Sequence, residues 1–260
     1  MSTTTFLQMV GAELLRIRRR RSIMAIAAFF TVGVIVIFFG IGEIQHLADP
    51  NRYGPAGGIH NFNRATVILS IFFGSLSAIL IGTEAGTTDT SSGVFRDVVV
   101  TGRERLWLFA VRVPAALIVT MALCLVALGA ALAASYGFAG GLPAPSASYA
   151  VDSVAWVCAA EALLCVIAVG LGSLTGSRAA SLTALIGWQV IAGRLLAMIS
   201  FLGSARDVIP NIALGALKPG EALPDSNGLT MSAGVAVAIL VIWLLAWVGA
   251  GAWRTRTRDA

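Results

Sequence analysis

The feature that most constrains this chain is a set of six long apolar runs. The clearest, Ile23 to Ile41, holds nineteen residues without a charge. A helix rises 1.5 Å per residue, so about 20 apolar residues cross the roughly 30 Å hydrocarbon layer of a bilayer. Segments 23–41, 65–82, 113–135, 154–172, 179–202 and 231–251 meet that length. The expected fold is all-α and integral to the membrane, a single transmembrane domain over residues 1–260. Only 12% of the residues are charged, about half the share of an ordinary soluble domain, so lipid is the main solvent. The first run is too long for the apolar core of a cleavable signal and is expected to stay in the membrane as an anchor.

Orientation follows from the placement of Arg and Lys. Arg16 and Arg18 to Arg21, then Arg96, Arg103 and Arg105, then Arg178, and finally Arg254, Arg256 and Arg258 all fall on one side of a six-span chain. The other side receives only Arg52, Arg64, Arg206 and Lys218. Both termini are therefore expected in the cytoplasm, with the chain in the plasma (inner) membrane. The formal charge of +5 lies in short clusters, unlike the broad water-facing basic surface of a nucleic-acid binder, so no nucleic-acid partner is expected.

Residues 5–21 form a segment of another kind. Phe6, Val10, Leu14 and Ile17 share one helical face, and Glu13, Arg16 and Arg20 lie mainly on the other. This reads as an amphipathic helix in the plane of the inner leaflet; the alternative is a retention signal with a disordered head. Between spans, 42–64 is polar and carries His46 and His60, 136–152 is rich in Gly, Pro, Ala and Ser, and 203–230 opens with a half-apolar stretch too short to span. Short helices dipping back into the membrane are one reading of that last stretch, allowed only where protein covers the freed backbone groups.

Catalytic chemistry is hard to place. The single lysine, Lys218, precedes Pro219, so no GxxxxGK[ST] phosphate loop exists. Gly172-Ser173 suggests a protease nucleophile, but such a serine needs a base within hydrogen-bond reach. Both histidines lie in the first loop on the opposite side. Their fourteen-residue separation in a polar loop also makes a poor metal site. Cys124, Cys158 and Cys165 fall inside apolar runs, where thiols act as small hydrophobes. No catalytic residue, metal or bound cofactor is expected on this chain.

The stretch Gly82 to Pro114 is the longest segment between spans on the basic side. Val94, Phe95, Val98 and Val99 cluster at helical spacing behind the capping candidates Ser91 and Ser92. An amphipathic helix exposed there needs headgroups or a partner protein over its apolar face. Arg103, Arg105, Trp107, Phe109 and Arg112 then suit a helix entering the interface, and Pro114 marks a bend or a new first turn.

In these features the chain resembles the permease subunits of ATP-binding-cassette exporters, in the type-2 export class. The matching residues are Glu84 or Asp89 for the acidic position, Gly93-Val94, the triplet Val98-Val99-Val100, Thr101-Gly102 and Arg103. Val94 replaces the commoner threonine, and the turn lacks the usual proline. The Val208 to Asn211 stretch is similar to the family's re-entrant segment. The resemblance implies a coupling helix between spans two and three, with Asp89, Val94, Phe95, Val98, Val99 and Arg103 docking on a separate cytoplasmic ATPase dimer. It implies ATP and Mg on that partner, a second permease chain (like or unlike) and export through a path beside spans two and five. Phe72, Phe73, Trp188 and Gln189 would then contact substrate. A membrane scaffold or sensor using the same loop is the alternative reading, and a secondary transporter is a third, disfavoured by few intramembrane acids and no internal repeat.

Two charges lie well inside spans, Glu161 and Arg194. Both stand about 10–12 Å from the same end of their spans, and charges at such depth usually face protein and pair. The expectation is an ion pair, with a substrate-facing polar site and separate snorkelling as alternatives. Ser70, Gly74 and Ser77 share a face suited to close helix packing, with the lining of a path as the alternative. Trp243, Trp247 and Trp253 read as interfacial anchors.

Overall fold

The computed structural model describes residues 3–91, 105–220 and 231–257, the side chains of residues 89–91, 105, 194, 200, 202 and 204 excepted. Those residues are helical or connecting, with no strand among them. Helix α1 covers Thr3–Arg19. Helix α2 follows in three joined pieces, Arg21–Ala28, a π-turn Phe29–Gly33 and Val34–Ala48. Helix α3 is built the same way, from Gly58–Val67, a π-turn Ile68–Phe72 and Phe73–Ser91. Helices α4 (Arg105–Gly137) and α5 (Ala147–Thr175) are unbroken. Helix α6 runs Arg178–Gly187, a π-turn Trp188–Ala192 and Gly193–Met198. A 3₁₀ stretch Ser200–Val208 leads to the short α7, Pro210–Ala216, and α8 spans Ala233–Thr257.

Six of these, α2 to α6 and α8, are long and apolar enough to cross a membrane, the architecture of a multi-pass membrane protein. Their outer faces agree. Val36, Ile37 and Ile44 of α2, and Val241, Ile242 and Leu245 of α8, are exposed. A monomer in water does not display apolar surface on that scale.

The helices outrun the apolar segments. The polar stretch 42–64 is mostly helix, since α2 continues to Ala48 and α3 starts at Gly58, leaving 49–57 as the connection. Adding a residue to an existing helix gains a backbone hydrogen bond without a new nucleus, so polar residues are carried along. His46 thus stands in α2 and its Nδ1 donates to the Tyr53 carbonyl (2.7 Å), closing the connection. Likewise α4 passes through Pro114 without a break, so no new first turn begins there. Ser146 caps α5 by accepting from the Tyr149 amide.

The centre of the bundle is α3 against α5. Positions 74, 78, 82 and 86 of α3 are Gly, Ala, Gly and Gly, a small residue at every turn. A Cβ on Gly86 would sit 2.6 Å from the Val169 carbonyl oxygen, and one on Gly82 would collide with the Cys165 carbonyl. Without a hydrophobic force between helices in lipid, such backbone proximity is what binds them, through dispersion over many atoms. Gly74 meets Glu161 on the same seam. The small face read at Gly74 serves packing and continues through Gly82 and Gly86, while Ser70 lines a cavity.

The apolar face of α1 is covered by protein. Val10 and Ile17 are buried in a cluster with Ile81, Val111 and Val169, and Phe6 and Leu14 pack on its edge. Phe6 meets Trp107 of α4 edge to face, ring centres 5.8 Å apart. The arginines Arg18 and Arg19 remain exposed. The end of the bundle that holds α1 is called the basic end below.

Candidate functional site

Two polar constellations interrupt the apolar bundle. The first lies at the basic end. Glu84 of α3 is buried, and its carboxylate takes one arginine on each oxygen: Arg20 Nε at 3.3 Å from Oε1 and Arg178 Nη1 at 3.3 Å from Oε2. Arg20 sits at the junction of α1 and α2, and Arg178 opens α6. Both arginines are about half exposed. Desolvation therefore falls mostly on the acid, and two arginines rather than one compensate it. Thr88, one turn on, bonds the Glu84 carbonyl and lies 3.4 Å from its Oε1. Beside it Arg112 of α4, also buried, donates to Ser173 Oγ of α5 at 3.5 Å, and Ser173 donates to the Gly86 carbonyl at 3.3 Å. The α1–α2 junction and helices α3, α4, α5 and α6 are thus tied by charge and hydrogen bonds within two turns of α3.

The second constellation lies deeper, where the π-turns of α3 and α6 meet. A π-turn inserts one residue and misaligns a carbonyl from its helical donor, and such turns are frequent at functional sites. In α3 the Ile71 carbonyl lies inside the π-turn and takes a donor from outside its own helix. Gln189, inside the π-turn of α6 and buried, donates to it from Nε2 at 3.2 Å. Ser75 also reaches Ile71 O at 3.3 Å, and Ser70 bonds back to Thr66 O at 2.9 Å. Hydroxyls bonding back to the helix bend and loosen it; Thr31 does the same to Ala27 O (2.9 Å) at the π-turn of α2.

The segment after α6 folds back into the bundle and caps this crossing. Its carbonyls are taken up by indoles: Trp156 Nε1 donates to Leu214 O (2.7 Å) and Trp243 Nε1 to Val208 O (2.8 Å). Trp156 and Trp243 stand about 15 Å inside the ends of α5 and α8 at 1.5 Å per residue. The protein cover that a buried irregular segment requires is supplied by these tryptophans. Trp243 therefore differs from the expected interfacial anchor: it stacks at a tilt on Trp188 (5.9 Å) within the bundle. Trp247 lies against Gly170 of α5, while Trp253 is exposed near the helix end.

Residues read from the sequence as path contacts divide. Gln189 and Trp188 line cavities at this crossing. Phe72 and Phe73 lie outside those linings, with Phe73 stacked on Phe30 of α2 at 6.0 Å. Glu161 is buried against Gly74, and neither carboxylate oxygen has a hydrogen-bond partner among the described residues. The Arg194 side chain lies outside the described residues, as do Val94, Phe95, Val98, Val99, Arg103 and the side chain of Asp89. The grouping of Glu84 with Arg20 and Arg178 was missed, although each is a charge at the inner end of a predicted span.

No family model matches the chain, and no curated protein matches it. Among the described residues no group of three or more His, Cys, Asp or Glu side chains could hold a metal ion.

Proposed function

We propose that this chain is the membrane subunit of an ATP-driven exporter of the type-2 export class, with ATP and Mg held by a separate cytoplasmic ATPase dimer. On this reading two permease chains pair in the plasma (inner) membrane, both termini face the cytoplasm, and α1 lies along the inner leaflet. The stretch around Asp89 to Val100 supplies the coupling helix, with Asp89, Val94, Phe95, Val98, Val99 and Arg103 meeting the ATPase.

The observation that supports this most is the position of Glu84. It lies on α3 five residues before Asp89, at the root of that stretch, and it holds Arg20 and Arg178 at once. A push on that segment would reach α1, α2 and α6 through one carboxylate. The π-turn crossing of α3 and α6 lies farther along the same two helices, so movement at the basic end has a loosened point at which to be absorbed.

The test is transport in vesicles carrying the chain together with a phosphate-loop ATPase that co-purifies with it. Val98→Asp or Val99→Asp should abolish ATPase-stimulated transport while membrane insertion stays intact. Transport at the unmodified rate in both variants refutes the coupling role. Cysteines placed at Phe95 or Val99 should label only from the cytoplasmic face. A partner without ATPase activity captured through the same segment, with no transport, favours the scaffold reading instead.

A further inference from the structure

The apolar face of α1 is already spent on the bundle, where Val10 and Ile17 are buried. What the helix leaves uncovered is another face, on which Leu7, Ala12 and Leu15 are exposed. Arg19 follows Leu15 by one turn and is exposed too. Along this face runs an open groove of about 510 Å³, lined by Ala12, Leu15, Arg16, Arg19 and Arg20. That size lies within the roughly 300–1,000 Å³ of small-molecule sites.

The charge here is one-sided. Residues 3–28 hold five arginines, at 16 and 18–21, against one acid, Glu13, which meets Arg16 at 3.0 Å. No acidic side chain among the described residues lines the groove. Arg20 meets Glu84 through Nε at 3.3 Å, and its side chain is half exposed. The four N–H of its terminal nitrogens are thus placed for a second acceptor.

The level of the groove follows from the chain. The first spanning helix, α2, begins at Arg21, and its first buried apolar side chain is Ile23. Arg20 is three residues from it, about 5 Å along a helix, which is the depth of lipid headgroups just outside the hydrocarbon. A ligand that fits carries an anion beside hydrocarbon, the one for the arginines and the other for Ala12 and Leu15. A phospholipid does so; a soluble anion or an acidic peptide does not.

We propose that this groove holds the headgroup of an anionic glycerophospholipid, its phosphate between Arg19 and Arg20 and the root of a chain on Ala12 and Leu15. The binding belongs to the chain itself and does not rest on the exporter reading. Each arginine beside anionic lipid is worth roughly fivefold in affinity.

The experiment uses the full chain purified in a neutral detergent. Bound lipid is counted by native mass spectrometry during titration with phosphatidylglycerol or with phosphatidylcholine of the same chains. Phosphatidylglycerol should bind about tenfold more tightly. Arg19→Gln together with Arg20→Gln should reduce that ratio to about twofold or less. Arg254→Gln together with Arg256→Gln removes the same charge from the end of α8 and should leave the ratio unchanged. Arg19→Glu leaves the pairing of Glu84 intact and should also abolish the preference, which keeps the test open if loss of Arg20 prevents folding. Equal affinity for the two lipids on the unmodified chain overturns the proposal. So does an equal fall in the two double variants, which would make the preference a diffuse effect of charge. Displacement of phosphatidylglycerol by glycerol phosphate or by an acidic peptide at equal concentration overturns it as well, assigning the groove to a soluble anion or to a protein. Transport is not measured, so this site and the exporter reading fail separately.

Discussion

Gln189 of the fifth membrane-crossing helix donates a hydrogen bond to the backbone carbonyl of Ile71 in the second, 3.2 Å away, and both residues sit in π-turns. A side-chain donor in one irregular turn thus reaches a main-chain acceptor in the other. Gln189→Leu should remove the side-chain donor that reaches Ile71 O from α6 and cost about 1–2 kcal/mol. Gln189→Asn, too short to reach, should cost a similar amount. Thermal or denaturant unfolding in detergent measures both; a loss below a few tenths of a kcal/mol in each would show that the bond is not formed.

Glu84 and its two arginines make a coupled set. Removing Arg20 or Arg178 alone leaves the acid one partner, and since each arginine is half exposed each single loss should be at most about 1 kcal/mol. Removing both strands a buried carboxylate and should cost about 3 kcal/mol, well above the sum. Adding Glu84→Gln to that double variant should restore most of the loss. Additive behaviour across the cycle would mean the three charges act independently.

The seam between α3 and α5 predicts a contrast among glycines. Gly82→Leu and Gly86→Leu drive a side chain into backbone and should cost about 3 kcal/mol or prevent folding, beyond the usual range for overpacking. Gly129→Ala and Gly249→Ala meet nothing within 4 Å. They should be neutral or stabilise by up to about 1 kcal/mol through helix propensity. Ranking the four by melting temperature in one detergent is sufficient.

Glu161 carries two oxygens without partners among the described residues. Glu161→Gln keeps the shape and reduces the desolvation burden, so it should raise stability by about 1 kcal/mol. A fall instead, reversed by exchanging Glu161 and Arg194, would establish the intramembrane pair expected from their matched depth.

Six spans were legible because each carries about twenty apolar residues, and in a membrane that signal has few competitors. Helix ends were not, because His46, His60 and Arg64 are held in helices by continuity with apolar neighbours rather than by their own preferences. Gly82 and Gly86 continue a small-residue spacing already visible at Gly74, and reading the full register of α3 would have found the seam. Gln189 was named only through resemblance, and its partner is a main-chain atom that no residue type marks. The Glu84 group could not be read off either: its members are far apart in the chain, and only the packing of α1 and α6 beside α3 brings them together. Trp243 was misplaced because interfacial tryptophan is the common case, and nothing in its neighbours announces a folded-back segment with a carbonyl to satisfy.

The glycine seam has a mechanical meaning. At Gly82 and Gly86 backbone lies directly on backbone with no α3 side chain between, so over those turns the two helices behave as a keel. Whatever flexing the molecule performs is left to its lightly covered flanks, above all to α6 and α8.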